Sequence, residues 1–249
     1  MTARHGLGNK STVRDSLGQG AMNLTGVLGV LTFWGGVWAA VRRFPVEFDW
    51  RYMTVSSLLS PLKDPAGYVW ASAAIAACSM FGFAWTTLSL RALQSSGTPE
   101  RAHGLRALQL GYVFTALAAS FPEQLLPVPK AHECFAILAF VGLCIGLVRT
   151  FSANVLPVIS ALSDHGLLRS RLLIGISVSP ILLAAFAQAY VFFARPELPW
   201  VNLSWRDRGV PIYLSFAFWE WVTCAVMTAY MVVLIFMTRG PRSHLPGQQ

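Results

Sequence analysis

Glu220 is the acidic residue with the most unusual position, because it lies inside the otherwise uncharged run 209–238. If a helix begins near Pro211, the carboxylate lies about 14 Å along its axis. A charged side chain at the centre of a bilayer costs about 2.5–3.5 kcal/mol on insertion scales. We therefore expect Glu220 to face the interior of a helix bundle. There it is either a buried structural hydrogen-bonding group or a proton-coupled or substrate-contacting group.

A second set of polar residues comes from the segment FPEQLLPVPKAHE, which connects two apolar runs. It brings Glu123 close to His132 and Glu133, and its three prolines stiffen the connection. A histidine beside carboxylates has its charged form favoured and could serve as an acid–base group. The same residues could equally form a solvated hydrogen-bond cluster at a helix N-terminus.

The segment MTVSSLLSPLKDPAGYVW adds hydroxyl groups and one more carboxylate on the same side. Asp64 followed by Pro65, directly before an apolar run, is typical of a helix start with Asp as the N-cap and Pro as the first helical residue. We therefore predict that Asp64 is primarily structural. The candidate polar functional cluster comprises Glu220, His132, Glu133, Glu123, Ser60 and Asp64.

Tryptophan is concentrated at one side of the apolar runs. Eight of the nine tryptophans lie at that side, and only Trp85 lies toward the other. An interfacial belt accounts for part of this distribution, although a symmetric belt would populate both sides. The alternative is a surface that docks a partner or ligand. Its candidate residues are Trp34, Trp38, Trp70, Trp219 and Trp221.

The histidines and cysteines predict no metal and no cofactor. Haem ligation needs two facing imidazoles, but His132 is expected a full membrane thickness from His103 and His165. A zinc site needs three or four ligands at one depth. The cysteines all lie inside apolar runs, where we expect small packing residues; they are Cys78, Cys134, Cys144 and Cys224. No catalytic residue is assigned.

The elements that must position these residues follow from composition. Of 249 residues, 55% are hydrophobic and only 12% are charged, with a mean hydropathy of +0.53. So few charges exclude a soluble enzyme and a nucleic-acid-binding domain. Runs of about 20 apolar residues can each cross a bilayer as a helix. We predict an all-α polytopic transmembrane helix bundle at 21–239 between polar tails at 1–20 and 240–249, with six spans at about 21–42, 66–90, 104–122, 131–149, 171–194 and 211–238.

The basic residues predict the orientation of the bundle. The net charge is +8, and placing both termini inside puts eleven Lys and Arg on the inner side and eight on the outer side. We therefore predict cytoplasmic N- and C-termini. The pair Gly142 and Gly146 forms a GxxxG pattern, which we expect to serve helix packing inside the bundle.

The segment VSSLLSPLKDPAGY, from Val55 to Tyr68, is followed by a helix rich in small residues, and His132 opens the fourth span. This pattern resembles an uncharacterised family of six-helix bacterial membrane proteins that is distantly similar to the damage-regulated autophagy modulator superfamily. The resemblance implies a six-helix bundle with the motif loop outside, in a bacterial inner (plasma) membrane. It implies no settled activity.

Three functions are compatible with these residues. We favour a non-catalytic accessory, lipid-organising or complex-subunit protein with a Trp-rich outer face. Its expected partners are the lipid bilayer and another membrane protein subunit, with no nucleic acid. The alternatives are a small transporter with a polar site around Glu220 and His132, and a membrane-embedded lipid hydrolase. The hydrolase would use His132 as the acid–base group and Ser56, Ser57 or Ser60 as the nucleophile.

Overall fold

The computed structural model describes residues 8–93, 99–121, 131–157 and 166–237. Within these ranges the chain forms helices and turns and no strand, which confirms the all-α prediction. The helices are α1 (Gly8–Val41), α2 (Val55–Leu58), α3 (Tyr68–Leu93), α4 (Pro99–Ser120), α5 (Ala131–Asn154), α6 (Gly166–Ala194), α7 (Leu203–Asp207) and α8 (Phe216–Met237), with a 3₁₀ turn at Ile212–Leu214 before α8.

Five helices are long and apolar enough to cross a membrane: Gly18–Val41, Tyr68–Leu93, Ala131–Asn154, Ile174–Ala194 and Phe216–Met237. The chain is therefore a multi-pass integral membrane protein by the length and composition of its helices. The third predicted span, 104–122, falls on α4, which is a helix of 22 residues. Arg101 and Arg106 lower the hydropathy of its first half, and α4 is not among the five.

Five of the long helices form a closed ring. Going around it, α1 packs on α3, α3 on α4, α4 on α5, α5 on α8, and α8 on α1 again. Helix α6 lies outside this ring, against α8 and α5. A bundle of this kind has an interior that is reached from all five helices, so residues far apart in the sequence meet there.

Small residues bring neighbouring helices close together. A Cβ atom on Gly36 of α1 would lie 1.9 Å from the Cβ of Ala74 on α3. On α5, Gly142 contacts the backbone of Gly111 and Gly146 contacts Leu108, both of α4. The GxxxG pattern therefore serves packing inside the bundle, as predicted. Lipid offers little hydrophobic force between helices, so such close packing is an important source of attraction.

Two apolar clusters close the ends of the ring. The loop end is defined by α2 together with buried residues at the adjacent helix ends, namely Val37, Ala71, Ala119 and Trp221. The opposite end is closed by a cluster that includes Met22, Trp85, Leu105, Phe151 and Leu234.

The connection between α1 and α3 is held in place at the loop end by polar contacts. Tyr52 donates its hydroxyl hydrogen to the carbonyl of Val210, at 2.7 Å. Asp49 accepts two hydrogen bonds from the Arg51 guanidinium at 2.8 Å, and this contact holds the pKa of the carboxyl below its usual value. The Tyr52 hydrogen bond joins two connections that are more than 150 residues apart in the sequence, whereas the Asp49–Arg51 pair stays within one of them.

Candidate functional site

A cavity of about 180 Å³ lies inside the five-helix ring. Its wall is contributed by all five ring helices and by α2. The lining is mainly small and apolar, and includes Gly29, Ile75, Ala119, Ala139, Leu143 and Met227. Deep, mostly apolar cavities with a few polar groups are the usual form of small-molecule sites.

Glu220 lines this cavity near the start of α8. Because α8 begins at Phe216 rather than near Pro211, the residue lies about 6 Å along the helix instead of 14 Å. The side chain is buried, and its Oε2 atom accepts a hydrogen bond from the backbone N–H of Val55 at 2.9 Å. That N–H is the first of α2, where the helix has no carbonyl of its own to offer.

The residues around Val55 are fixed by the same turn of α8. The indole N–H of Trp221 donates to the carbonyl of Met53 at 2.8 Å. Thr54 caps α2, since its Oγ1 atom accepts the N–H of Ser57. The Thr54 hydroxyl also lies 2.8 Å from that of Ser56 and 2.9 Å from that of Ser57. Both serine hydroxyls are therefore engaged within the loop itself.

His132 lines the cavity from the first turn of α5. Its Nδ1 atom lies 3.0 Å from the carbonyl oxygen of Ala118. A carbonyl only accepts hydrogen bonds, so Nδ1 carries the proton and Nε2 of the neutral ring is an acceptor. Among the described residues, no hydrogen bond joins His132 to Glu220 or to Glu133.

The other members of the predicted polar cluster lie elsewhere. Glu133 has a buried Oε2 atom that accepts no hydrogen bond in the described part of the chain, and the residue does not line the cavity. Glu123 lies outside the described residues. Of the predicted cluster, the structure therefore brings only Glu220 and His132 to one cavity.

Asp64 is fully buried and caps a turn at 65–67 that leads into α3, whereas the sequence predicted that the helix itself begins at Pro65 rather than at Tyr68. Its Oδ1 atom accepts the N–H of Gly67 at 2.9 Å, and its carbonyl accepts the N–H of Tyr68. Burial raises the pKa of this carboxyl, while the hydrogen bond from Gly67 opposes the rise. Ser60 accepts the N–H of Asp64 on its carbonyl at 2.8 Å. Neither Ser60 nor Asp64 lines the cavity.

The five residues of the predicted tryptophan face differ in exposure, from exposed to buried. Trp38 is 66% exposed and Trp70 is 52% exposed. Arg42 and Arg43 stack over these two rings, at 5.9 and 4.8 Å from the respective centroids. Of the remaining three, Trp221 is buried at the loop end, and Trp34 and Trp219 are half-buried and donate to the Thr228 hydroxyl and the Tyr213 carbonyl, respectively.

Much of the cavity wall lies outside the sequence-predicted cluster, although the sequence carries a pattern that indicates it. Glu220, Cys224, Met227 and Met231 follow one another on α8 at intervals of three or four residues, and all line the cavity. Ile75, Ser79 and Gly82 do the same on α3. Residues three or four positions apart lie on one face of a helix, so this spacing, followed along α8 from Glu220, indicates which α8 residues line the cavity.

In the described ranges, no three His, Cys, Asp or Glu side chains are grouped as a metal ion would require. The four cysteines are free thiols, three of them half-buried and Cys134 exposed. The chemistry of the cavity is therefore that of an apolar wall with one carboxylate and one imidazole. Comparison of the chain with protein-family models, characterised proteins and solved structures finds no match.

Proposed function

We propose that this protein is a non-catalytic, six-span membrane protein that holds an apolar lipid chain inside its helix bundle. The observation that carries this proposal is the cavity between the five ring helices, whose lining surface is almost entirely apolar. A cavity of this polarity offers water few hydrogen-bond partners, whereas an alkyl chain would fill it with favourable contacts. Lipid is the apolar molecule most abundant around a membrane protein.

The six-span topology is supported by the place of α4 in the ring. Helix α4 lies between α3 and α5 and supplies Tyr112, Thr115 and Ala119 to the cavity wall. Its 22 residues reach about 33 Å, which is enough to cross a hydrocarbon core. Arg101 and Arg106 can extend their charged ends to the membrane surface from its first turns. The balance of Lys and Arg supports cytoplasmic termini.

The hydrogen bonds of the loop support a non-catalytic role. A serine nucleophile needs its hydroxyl within reach of a base. The hydroxyls of Ser56 and Ser57 instead lie against Thr54, and no hydrogen bond joins either of them to His132 in the described part of the chain.

The test is photolabelling of the protein in phosphatidylcholine nanodiscs with dodecanol that carries a diazirine on its chain. We expect labelled peptides to include cavity residues such as Leu143 and Met227. Ala139→Phe adds a ring inside the cavity and should abolish this labelling. Ala73→Phe is the matched control, because Ala73 is exposed on α3. Equal labelling of both variants, or labelling confined to outward-facing residues, would contradict the proposal.

A small transporter is the second candidate, and the shared placement of Glu220 and His132 on one cavity favours it. A carboxylate and an imidazole inside a ring of spanning helices could carry protons or contact a polar substrate. The measurement is proton flux into liposomes that contain the purified protein. A proton flux greater than that of empty liposomes would support transport rather than lipid holding, provided that Glu220→Gln abolishes it.

A further inference from the structure

The hydroxyl groups of the cavity wall already form hydrogen bonds within the protein. Ser79, Thr115 and Thr228 each donate at 2.8 Å to the carbonyl one turn earlier on their own helix. The hydroxyl of Tyr112 donates to the sulfur of Met231 at 3.4 Å. These groups therefore offer a bound molecule few free donors, and most of the wall behaves as an apolar surface.

Two acceptor atoms at the cavity have no hydrogen-bond partner among the described residues. Glu220 binds Val55 through Oε2, and its Oε1 atom accepts no hydrogen bond from any residue that the structure describes. His132 donates through Nδ1 to Ala118, so Nε2 is the nitrogen that accepts whenever the ring is neutral. Both side chains are more than nine-tenths buried, with 8% and 6% exposed. A donor group on a bound molecule would therefore gain hydrogen bonds that the protein does not supply.

Both acceptors lie toward the loop end of the bundle. Glu220 is bound to α2, and the carbonyl that holds His132 belongs to the last turn of α4. Toward the opposite end the lining becomes apolar, with Leu147 and Met231. The cavity thus has an acceptor end and an apolar end.

We propose that the bound molecule is a single-chain amphiphile whose head group donates hydrogen bonds, as a hydroxyl or an ammonium group does. This inference rests on the proposed lipid-holding function and names the chemistry of the ligand. The donor head would satisfy Glu220 and His132, and the alkyl chain would lie along the apolar wall. No Lys or Arg in the described ranges lines the cavity. A phosphate head would therefore meet the Glu220 carboxylate without a compensating cation.

The experiment measures displacement of the photoreactive dodecanol by four competitors that each carry a dodecyl chain. Dodecanol and dodecylamine carry donor heads, dodecyl methyl ether is dodecanol without its donor, and dodecyl phosphate is anionic. We expect dodecanol, dodecylamine or both to displace the probe at about tenfold lower concentration than the ether, because one unpaired acceptor is worth about a factor of ten. Dodecyl phosphate should displace the probe only at a still higher concentration.

The variant Glu220→Gln distinguishes an ammonium head group from a hydroxyl head group. The glutamine carbonyl can still accept from Val55, so its amide NH₂ then replaces the free acceptor with a donor. An ammonium head has no lone pair for that donor, whereas a hydroxyl has. If the natural ligand has an ammonium head group, the concentration of dodecylamine that displaces the probe rises by about tenfold or more, and that of dodecanol changes little. If the natural ligand has a hydroxyl head group, the concentrations at which dodecanol and dodecyl methyl ether displace the probe become more similar in this variant. Glu133→Gln is the matched control, since Glu133 does not line the cavity.

Two results would overturn the inference while leaving lipid holding intact. One is displacement by dodecyl methyl ether that equals displacement by dodecanol in the unaltered protein. The other is a set of competitor preferences that Glu220→Gln does not change. Failure of lipid holding itself is recognised differently, because the photoprobe then labels no cavity residue at all.

Discussion

Glu220 accepts a backbone hydrogen bond with one carboxylate oxygen, and no residue in the described part of the chain donates to the other. The sequence could predict that a carboxylate in an apolar run needs a partner, because the cost of leaving it without one is large. It could not predict the partner. Val55 is 165 residues away, and its N–H is available only because α2 begins there. Any of several loop residues would have satisfied the same rule.

Replacement of Glu220 should therefore reveal how much α2 depends on this contact. Glu220→Leu leaves the N–H of Val55 buried and unpaired, which should cost about 1–3 kcal/mol of unfolding free energy. Glu220→Gln keeps an acceptor oxygen and should lose less. Thermal unfolding in detergent, together with amide exchange of Val55, measures both effects. Equal loss of stability in the two variants would show that the hydrogen bond is not what stabilises α2.

Asp64 gives a prediction with a defined pH dependence. Burial raises the pKa of this carboxyl above its usual value of 3.8, so the folded protein holds the proton more tightly than the unfolded chain. Its contribution to stability is then fully present below pH 3.8 and is lost as pH rises through the folded-state pKa. Asp64→Asn keeps an oxygen that can accept the N–H of Gly67, but its amide side chain does not titrate.

The unfolding free energy of the unaltered protein relative to Asp64→Asn should therefore decrease as pH rises from the acid range toward neutrality. Midpoint temperatures of unfolding, measured for both proteins across that range, test this. Asp64→Ala should be less stable than Asp64→Asn at every pH, by about 1 kcal/mol, because the cap is lost. A difference between the unaltered protein and Asp64→Asn that grows with pH would contradict the prediction.

At the scale of helices, composition predicts which runs are helical but not where each helix begins. The segment 211–215 is uncharged and belongs to the predicted sixth span, yet it forms a short 3₁₀ helix with extended flanking residues, preceded by a turn at Gly209. Gly209 has a φ of 68°, in the left-handed region that glycine adopts without strain. Apolar residues are compatible with such a turn when it packs on other loops, as Val210 does. The hydropathy of the run therefore could not reveal the true start of α8.

The contact between α1 and α3 can be tested with two adjacent glycines. A Cβ atom on Gly36 would overlap Ala74, whereas one on Gly35 would meet nothing within 4 Å. Gly36→Ala should therefore push the helices apart and cost about 1–3 kcal/mol. Gly35→Ala should be neutral, or should stabilise the helix by about 0.5–1 kcal/mol. Thermal unfolding of the two variants checks this; similar losses in both would mean that helix packing is not limiting at Gly36.

At the scale of the whole molecule, the sequence predicts a multi-pass helical protein because lipid forces each crossing segment to satisfy its own backbone. The arrangement of the helices does not follow from that rule. The apolar run of α6 resembles those of the ring helices, yet α6 lies outside the ring. Which helix faces meet depends on steric fit between small residues such as Gly111 and Gly142. A linear pattern of hydropathy carries no information about that fit.

The number of crossings is the whole-molecule property with the clearest test, because it decides on which sides of the membrane the two termini lie. If α4 crosses, the chain has six spans and both termini lie on one side, which the Lys and Arg balance predicts to be the cytoplasm. Reporter domains fused at Met1 and at Gln249 should then give the same cytoplasmic signal. In a cysteine-free background, single cysteines at Lys63 and Arg208, both exposed at the loop end, should react with an impermeant maleimide only from the opposite side. Termini on opposite sides would mean five crossings, and α4 would then have to leave the ring that encloses the cavity.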